Sequence, residues 1–266
     1  MNRIQLVTYK ILIKLYAFFG LLFKLPNPVV AKKIILSKRL FKKLNGNVAY
    51  GFFKGMKLPY SMSWGAPDQA SMLVGLYEKE VLDVISSAPD HCTKLIDLGA
   101  ADGYYAIGTT LKGKFKKAIC YEMSEQRRDI IKQNAVLNGV SKKIDIRGQA
   151  NADFLNEFKD EELSKCFFLI DIEGDEFALL SKANLLRLSK SHILVEIHDH
   201  RTKDGNSKLD ILIKDASEIF NINHIYNGYR DPYAIQILED YSHDDAWLIV
   251  SEGRKRNGHW IHLLPV

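Results

Sequence analysis

From residue 94 onward, short apolar runs alternate with stretches of helical period. Runs at 94–98, 117–121, 143–147, 166–171 and 192–198 have the length of strands, and helical stretches at 104–112, 125–138, 151–164 and 174–188 lie between them. Strands alternating with helices predict an α/β fold with a doubly wound, mostly parallel sheet. After residue 200 comes a polar loop, then a helix near 207–220 and strands near 222–227 and 246–251. With no long helix between them, the last two strands read as an antiparallel edge hairpin. Upstream, 67–87 reads as a helix with Leu73, Leu76, Tyr77, Val81 and Val84 on one face, and 47–65 as an irregular aromatic stretch.

The N-terminal segment has a different pattern. Residues 4–24 carry one glycine and no proline, and read as a helix. At 100° per residue, Arg3, Lys10, Lys14 and Lys24 fall in a sector about 80° wide, and the rest of the wheel is nearly all apolar. That is the pattern of a basic amphipathic helix lying in a membrane interface. A span is disfavoured, since Lys14 near its centre costs about 2.5–3.5 kcal/mol. No small-residue cleavage site follows. Pro26 and Pro28 break this helix, and a second basic helix runs over 29–44 to an Asn45-Gly46 cap. The expected division is a basic helical arm, 1–46, and a domain, 47–266.

Charge sharpens that division. Residues 1–67 hold twelve Lys or Arg and no Asp or Glu, while the remainder holds 25 basic and 32 acidic residues, a net charge of −7. A basic arm on an acidic domain seeks phosphate, on lipid or on nucleic acid. The interleaved Phe and Leu suit an anionic membrane surface, reached through residues 1–45, better than a nucleic acid, which is not expected as a partner. The plainer alternative packs both helices on the domain or in a homodimer interface. Three cysteines without C-x-x-C spacing read as buried thiols of a reducing compartment. The expected location is cytoplasmic, peripheral at the inner face of the membrane.

The candidate chemistry begins at residues 95–105, LIDLGAADGYY. A buried strand runs into a glycine loop and a helix start, which lets the backbone come close to a nucleotide-like ligand. Glu122 ends the next strand, placed to accept hydrogen bonds from two ribose hydroxyls. A dinucleotide loop needs small residues where Ala101 and Tyr104 stand, and Asp97 and Asp102 put negative charge where a diphosphate would lie. S-adenosylmethionine has no phosphate, and its sulfonium and ammonium suit carboxylates. The expected cofactor contacts are Asp97, Gly99, Ala100, Asp102, Gly103, Tyr104, Glu122, Met123 and Asp171.

With these elements in place, the chain resembles the FkbM-type family of class I S-adenosylmethionine-dependent methyltransferases. The resemblance covers roughly residues 50–200. It is carried by GFFKGMKLPYSMSW (51–64), LYEKEVLDVI (76–85), LIDLGAADGYYAI (95–107), ICYEMSE (119–125), FFLIDIEGDEFALL (167–180) and ILVEIH (193–198). The D-x-E-G segment is its most specific part. Ala101-Asp102 departs from the family's usual loop. The resemblance implies a Rossmann-like fold and O-methylation of a carbohydrate or glycoconjugate hydroxyl, on a cell-surface glycan, a lipid-linked saccharide or a sugar-containing metabolite.

Acidic and histidine residues cluster at the predicted ends of the fourth and fifth strands. Asp171, Glu173 and His198 are the candidate catalytic residues, with Asp171 or His198 as general base. In a second reading, Asp171, Glu196 and Asp199 hold a Mg²⁺-like ion that lowers the acceptor's pKa. The plain alternatives are a helix cap for Glu173 and a hydrogen-bonded strand-end histidine for His198. His200 stands in the same cluster, and Tyr60, Trp64, Tyr104 and Tyr105 are candidates for stacking. No N-P-P-Y follows the fourth strand, which disfavours methylation of exocyclic amines. Two other functions remain open: an RNA methyltransferase gripping phosphates with the basic arm, and a non-catalytic cofactor-binding scaffold.

Overall fold

The computed structural model describes residues 3–23, 27–63, 65–151, 153–254 and 256–266. Eleven α-helices among them are α1 (Arg3–Phe23), α2 (Pro28–Leu44), α3 (Gln69–Leu73), α4 (Lys79–Ser86), α5 (Tyr104–Leu111), α6 (Glu125–Leu137), α7 (Asp160–Leu163), α8 (Glu176–Leu179), α9 (Lys182–Arg187), α10 (Gly205–Ser217) and α11 (His243–Val250). Seven strands are β1 (Lys94–Leu98), β2 (Lys117–Tyr121), β3 (Ile144–Arg147), β4 (Cys166–Ile170), β5 (His192–Glu196), β6 (Phe220–Tyr226) and β7 (His259–Pro265). They form one sheet in the order β3-β2-β1-β4-β5-β7-β6. The first five are parallel. β7 lies antiparallel between β5 and β6, pairing Val195 with Ile261 and Ile261 with His224. This is a Rossmann-like fold with one antiparallel edge.

Burial explains the sheet. Every residue of β4 and β5 is buried, as expected of parallel strands covered by helices on both faces. One apolar cluster joins Ile96, Phe168, Ile193 and Leu212, and another joins Leu95, Phe115, Phe167 and Trp260 on the opposite face.

Four predicted elements differ. The run at 246–251 is not a strand but the body of α11. Ser242 caps that helix, accepting from the Asp245 N–H at 3.3 Å, with Asp244 and Asp245 in the first turn. The closing strand is β7 instead. The helix expected over 67–87 is interrupted between α3 and α4. Gly75 has φ +69°, and a Cβ there would stand 2.0 Å from the Tyr50 carbonyl oxygen, so the chain turns to admit the 50–51 loop. The helix expected over 174–188 is two, because Glu173 and Gly174 have φ +60° and +119° and Ser181 caps α9. The helix expected over 151–164 is a 3₁₀ turn, Phe154–Glu157, followed by α7.

The two N-terminal helices behave differently. Asn27 caps α2 through the Val29 N–H (2.8 Å), and Asn45 closes it in a left-handed conformation. Leu36 and Leu40 are buried with Val48, Phe53 and Met72. Lys33 donates to Asp68 (3.1 Å) and to the Ser251 carbonyl (2.8 Å), and the Ala70 N–H donates to Ser37 Oγ (3.1 Å). A boundary at residue 46 therefore cuts through a packed unit. On α1, by contrast, Ile4, Ile11, Leu12 and Phe18 are exposed. No helix among the described residues is long and apolar enough to cross a membrane. Lys24, Pro26 and Trp64 lie outside the described residues.

Candidate active site

The carboxyl ends of β1, β2 and β4 open onto a cavity of about 430 Å³. This is where an open α/β sheet binds ligands, and the size falls in the range of small-molecule sites. β1 brings Asp97, β2 brings Tyr121 and Glu122, and β4 leads into Asp171. Asp97, Gly99, Ala100, Tyr104, Glu122, Met123 and Asp171, all expected as cofactor contacts, line it. Asp102 and Gly103 do not. The Asp102 carboxylate turns away and accepts from the Ser63 N–H (2.9 Å) and hydroxyl, pinning the aromatic loop. At Gly103, φ +81° caps α5, and a Cβ would press on Ile107 and Ile131 at 3.0 and 3.1 Å.

The glycine loop is shaped as much by its neighbour as by a ligand. A Cβ at Gly99 would stand 1.8 Å from the Asp171 carbonyl oxygen. That close approach brings the ends of β1 and β4 to one crevice. Glu122 also has a local task. Its Oε2 accepts from the Ala101 N–H (2.9 Å) and its Oε1 from the Ser124 N–H (2.8 Å). Each carboxylate oxygen has a second lone pair, so both remain able to accept a ribose hydroxyl.

Charge selects the ligand. Asp97, Glu122, Asp171, Glu173, Asp175 and Glu78 line the cavity, with Arg127 as its cationic lining residue. The buried Asp97 Oδ2 has no hydrogen-bond partner. Burial and repulsion from Asp171 push the Asp97 carboxyl up to about 7. A diphosphate would be repelled here, while a sulfonium and an ammonium would be attracted.

Beside the cavity lies the acidic cluster. His198 is buried, and its Nε2 faces Glu173 Oε2 (3.3 Å), Asp171 Oδ1 (3.7 Å) and Glu196 Oε2 (3.8 Å). Burial opposes its charge, but the surrounding carboxylates outweigh burial and raise its pKa. Burial, with repulsion from Asp171, pushes Glu196 up to about 9, and burial pushes Asp171 up to about 6. The structure thus brings together Asp171, Glu173, Glu196 and His198. Asp199, expected as a metal ligand, is not among them; it faces His200 Nδ1 at 3.6 Å. Glu173 pairs with Arg201 at 2.6 Å and does not cap the following helix.

The sequence reading missed the groups that hold this cluster. Glu176 is fully buried and accepts from the His198 N–H (2.7 Å) and the Gly174 N–H (2.8 Å). Its place three residues after Glu173 in the D-x-E-G segment was the available signal. Arg254 spans Glu196 (2.6 Å), Glu252 (2.8 Å) and Glu78, and it comes from a loop with no periodic signature. Tyr77 and Gln149–Asn151, at the crevice walls, were also missed as lining residues, while Tyr105, a stacking candidate, does line the crevice. Tyr60 packs edge-on against Phe41 at 5.3 Å and does not line the cavity.

No family model and no curated protein matches this chain. Similar solved structures include three described as methyltransferases. The Bacillus subtilis M1A22 tRNA methyltransferase TrmK has 10% identity over 69% of this chain and 64% of its own, with a TM-score of 0.45. M. capricolum TrmK, bound to S-adenosyl-homocysteine, has 15% identity over 69% and 66%, TM-score 0.43. The precorrin-6y C5,15-methyltransferase of Geobacter metallireducens has 14% identity over 71% and 89%, TM-score 0.48. The chain spans about two thirds of the length of the two TrmK chains.

The FkbM-type resemblance is corrected by these comparisons: no family model upholds it, and none of the three structures is described as a carbohydrate methyltransferase. Carbohydrate O-methylation and the glycan acceptor fall with it. The expectation against nucleic acid is corrected too: one of the three is described as a tRNA methyltransferase.

Proposed function

We propose that this protein is an S-adenosylmethionine-dependent methyltransferase with an RNA acceptor. The observation that carries the cofactor reading is the acidic cavity at the strand ends, with Glu122 closing β2 and the unpartnered Asp97 oxygen at its floor. Glu122 would hold the ribose hydroxyls, while Asp97 would offer its carboxylate to the cofactor's ammonium. The cofactor supplies a methyl group already activated on a sulfonium. The protein's own task is to align the acceptor and exclude water, and alignment alone is worth several kcal/mol. Asp171 and Glu173 line the β4 side of the cavity and would take the acceptor's proton there.

The acceptor reading rests on the cationic N-terminal segment. Lys10, Lys14, Lys38, Arg39, Lys42, Lys54 and Lys57 are exposed, and no acidic residue precedes Asp68. Such a surface binds phosphates by releasing counterions. Calorimetry with S-adenosylmethionine and its demethylated product tests the cofactor. Glu122→Gln, which keeps the size and one acceptor, should weaken binding about 5- to 100-fold, the scale of a hydrogen bond to a charged group. RNA binding should fall steeply and linearly in log–log form as salt rises. Unchanged cofactor affinity in Glu122→Gln would sink the cofactor assignment, and salt-insensitive or absent RNA binding the acceptor assignment.

A further inference from the structure

We propose that Asp171, Glu196 and His198 form a binding site for a divalent first-row metal ion at the edge of the cofactor crevice. One ligand atom from each lies within 4.8 Å of the others. In an octahedral sphere with bonds of about 2.1–2.2 Å, neighbouring ligand atoms stand about 3.0 Å apart and opposite ones about 4.3 Å. The 3.7 and 3.8 Å separations from His198 Nε2 to Asp171 and Glu196 fall between these values.

The surroundings are those of a ligand set held from behind. Arg254 takes Glu196 Oε1 at 2.6 Å, which leaves Oε2 facing His198. Glu176 lies 3.7 Å from His198 Nδ1 on the far side of the ring. A carboxylate on that side favours the tautomer with the proton on Nδ1 and the free lone pair on Nε2, the usual arrangement behind a metal-bound histidine. The buried Asp171 Oδ1 at the site lacks a hydrogen-bond partner, and His198 is only 6% exposed. Buried carboxylates this close must be neutralised. A cation bound among them does so. The imidazole among carboxylates favours a first-row ion such as Mn²⁺ over Ca²⁺ or Mg²⁺, which prefer oxygen alone.

The ion's role rests on the proposed function. A polyanionic acceptor approaching Asp171 and Glu173 meets repulsion, and a bound dication reverses the local sign and offers open positions to an acceptor oxygen. The test is direct titration of the chelator-treated, full-length protein with Mn²⁺ alone, followed by electron paramagnetic resonance and calorimetry. Binding should saturate at a single site. His198→Ala and Glu176→Gln should each weaken it by about 10- to 100-fold, while Asp199→Asn should leave it unchanged. Circular dichroism and melting establish that each variant is folded. If Mn²⁺ does not bind, if a folded His198→Ala protein binds it as well as the parent, or if Asp199→Asn abolishes binding, the site is refuted. S-adenosylmethionine titration in chelator is read separately: its loss overturns the cofactor reading and leaves the metal site standing.

Discussion

At the scale of single residues, burial rather than identity decides what the carboxylates do. Asp97 and Glu122 both end strands and both line the cavity, yet only Asp97 has an unpartnered oxygen; Glu122 satisfies two backbone N–H groups. The consequence is a pH dependence. Asp97, Asp171 and Glu196 have folded-state pKa values raised to about 7, 6 and 9. Between the ordinary carboxylate range and those values, the folded state binds more protons than the unfolded state. Stability contributed by these groups is therefore present at low pH and lost as pH rises from about 4 to 9. Glu176 and Glu80, held below their usual range by His198 and Arg230, act in the opposite sense at the acidic end. Ligand-free protein should melt at lower temperature at pH 8 than at pH 6, and Asp97→Asn should flatten that slope while weakening the cofactor's binding. A parent melting temperature that rises over this interval would contradict the buried-carboxylate account.

At the scale of elements, the crevice depends on how closely two strand ends approach. Gly99 meets the Asp171 carbonyl where a Cβ would stand 1.8 Å away, at φ +87°. Neither backbone segment can yield cheaply, since Leu98 and the Asp171 N–H are tied across β1 and β4 (2.9 Å). Gly99→Ala should cost about 1–3 kcal/mol from backbone strain alone and should spread Asp171 away from Asp97. Thermal melting would register the first effect and cofactor calorimetry the second; a substituted protein with parental values for both would show that the approach is not needed. The same reasoning explains why α3 and α4 are separate. Gly75 turns the chain where the 50–51 loop passes, and this places Tyr77 and Glu78 on the cavity wall.

At the scale of the whole molecule, the N-terminal helices divide by packing. α2 contributes Leu36 and Leu40 to the core and ties Lys33 to Asp68 and Ser251, whereas Ile4, Ile11, Leu12 and Phe18 of α1 are exposed. Removing residues 1–26 should leave folding and cofactor binding intact. Removing residues 1–46 should expose a core face and cost several kcal/mol, because burying one leucine side chain is worth about 1.5–3 kcal/mol. Melting curves and solubility of the two truncated proteins check this. If the shorter protein, starting at residue 47, melts like the parent, α2 is a detachable arm after all.

The sequence by itself determined the parallel core and the place of the cofactor cavity. Strand length, apolar runs and a glycine-rich turn are local signals, and β1, β2, β4 and β5 lie within two residues of where those signals put them. Seven of the nine expected cofactor contacts line the cavity for the same reason: each sits on a strand end or the turn after it. Tertiary structure alone decided the rest. The apolar run at 246–251 suits either period, and only Ser242 and the packing of α11 make it a helix. Asp102 and Asp97 are both acidic residues near one turn, and only the approach of Ser63 turns Asp102 away. Arg254 and Glu78 join Asp171, Glu196 and His198 from segments far apart in the chain. No spacing rule reaches across that distance, because the contacts arise from close packing between elements, and packing has no period along the sequence.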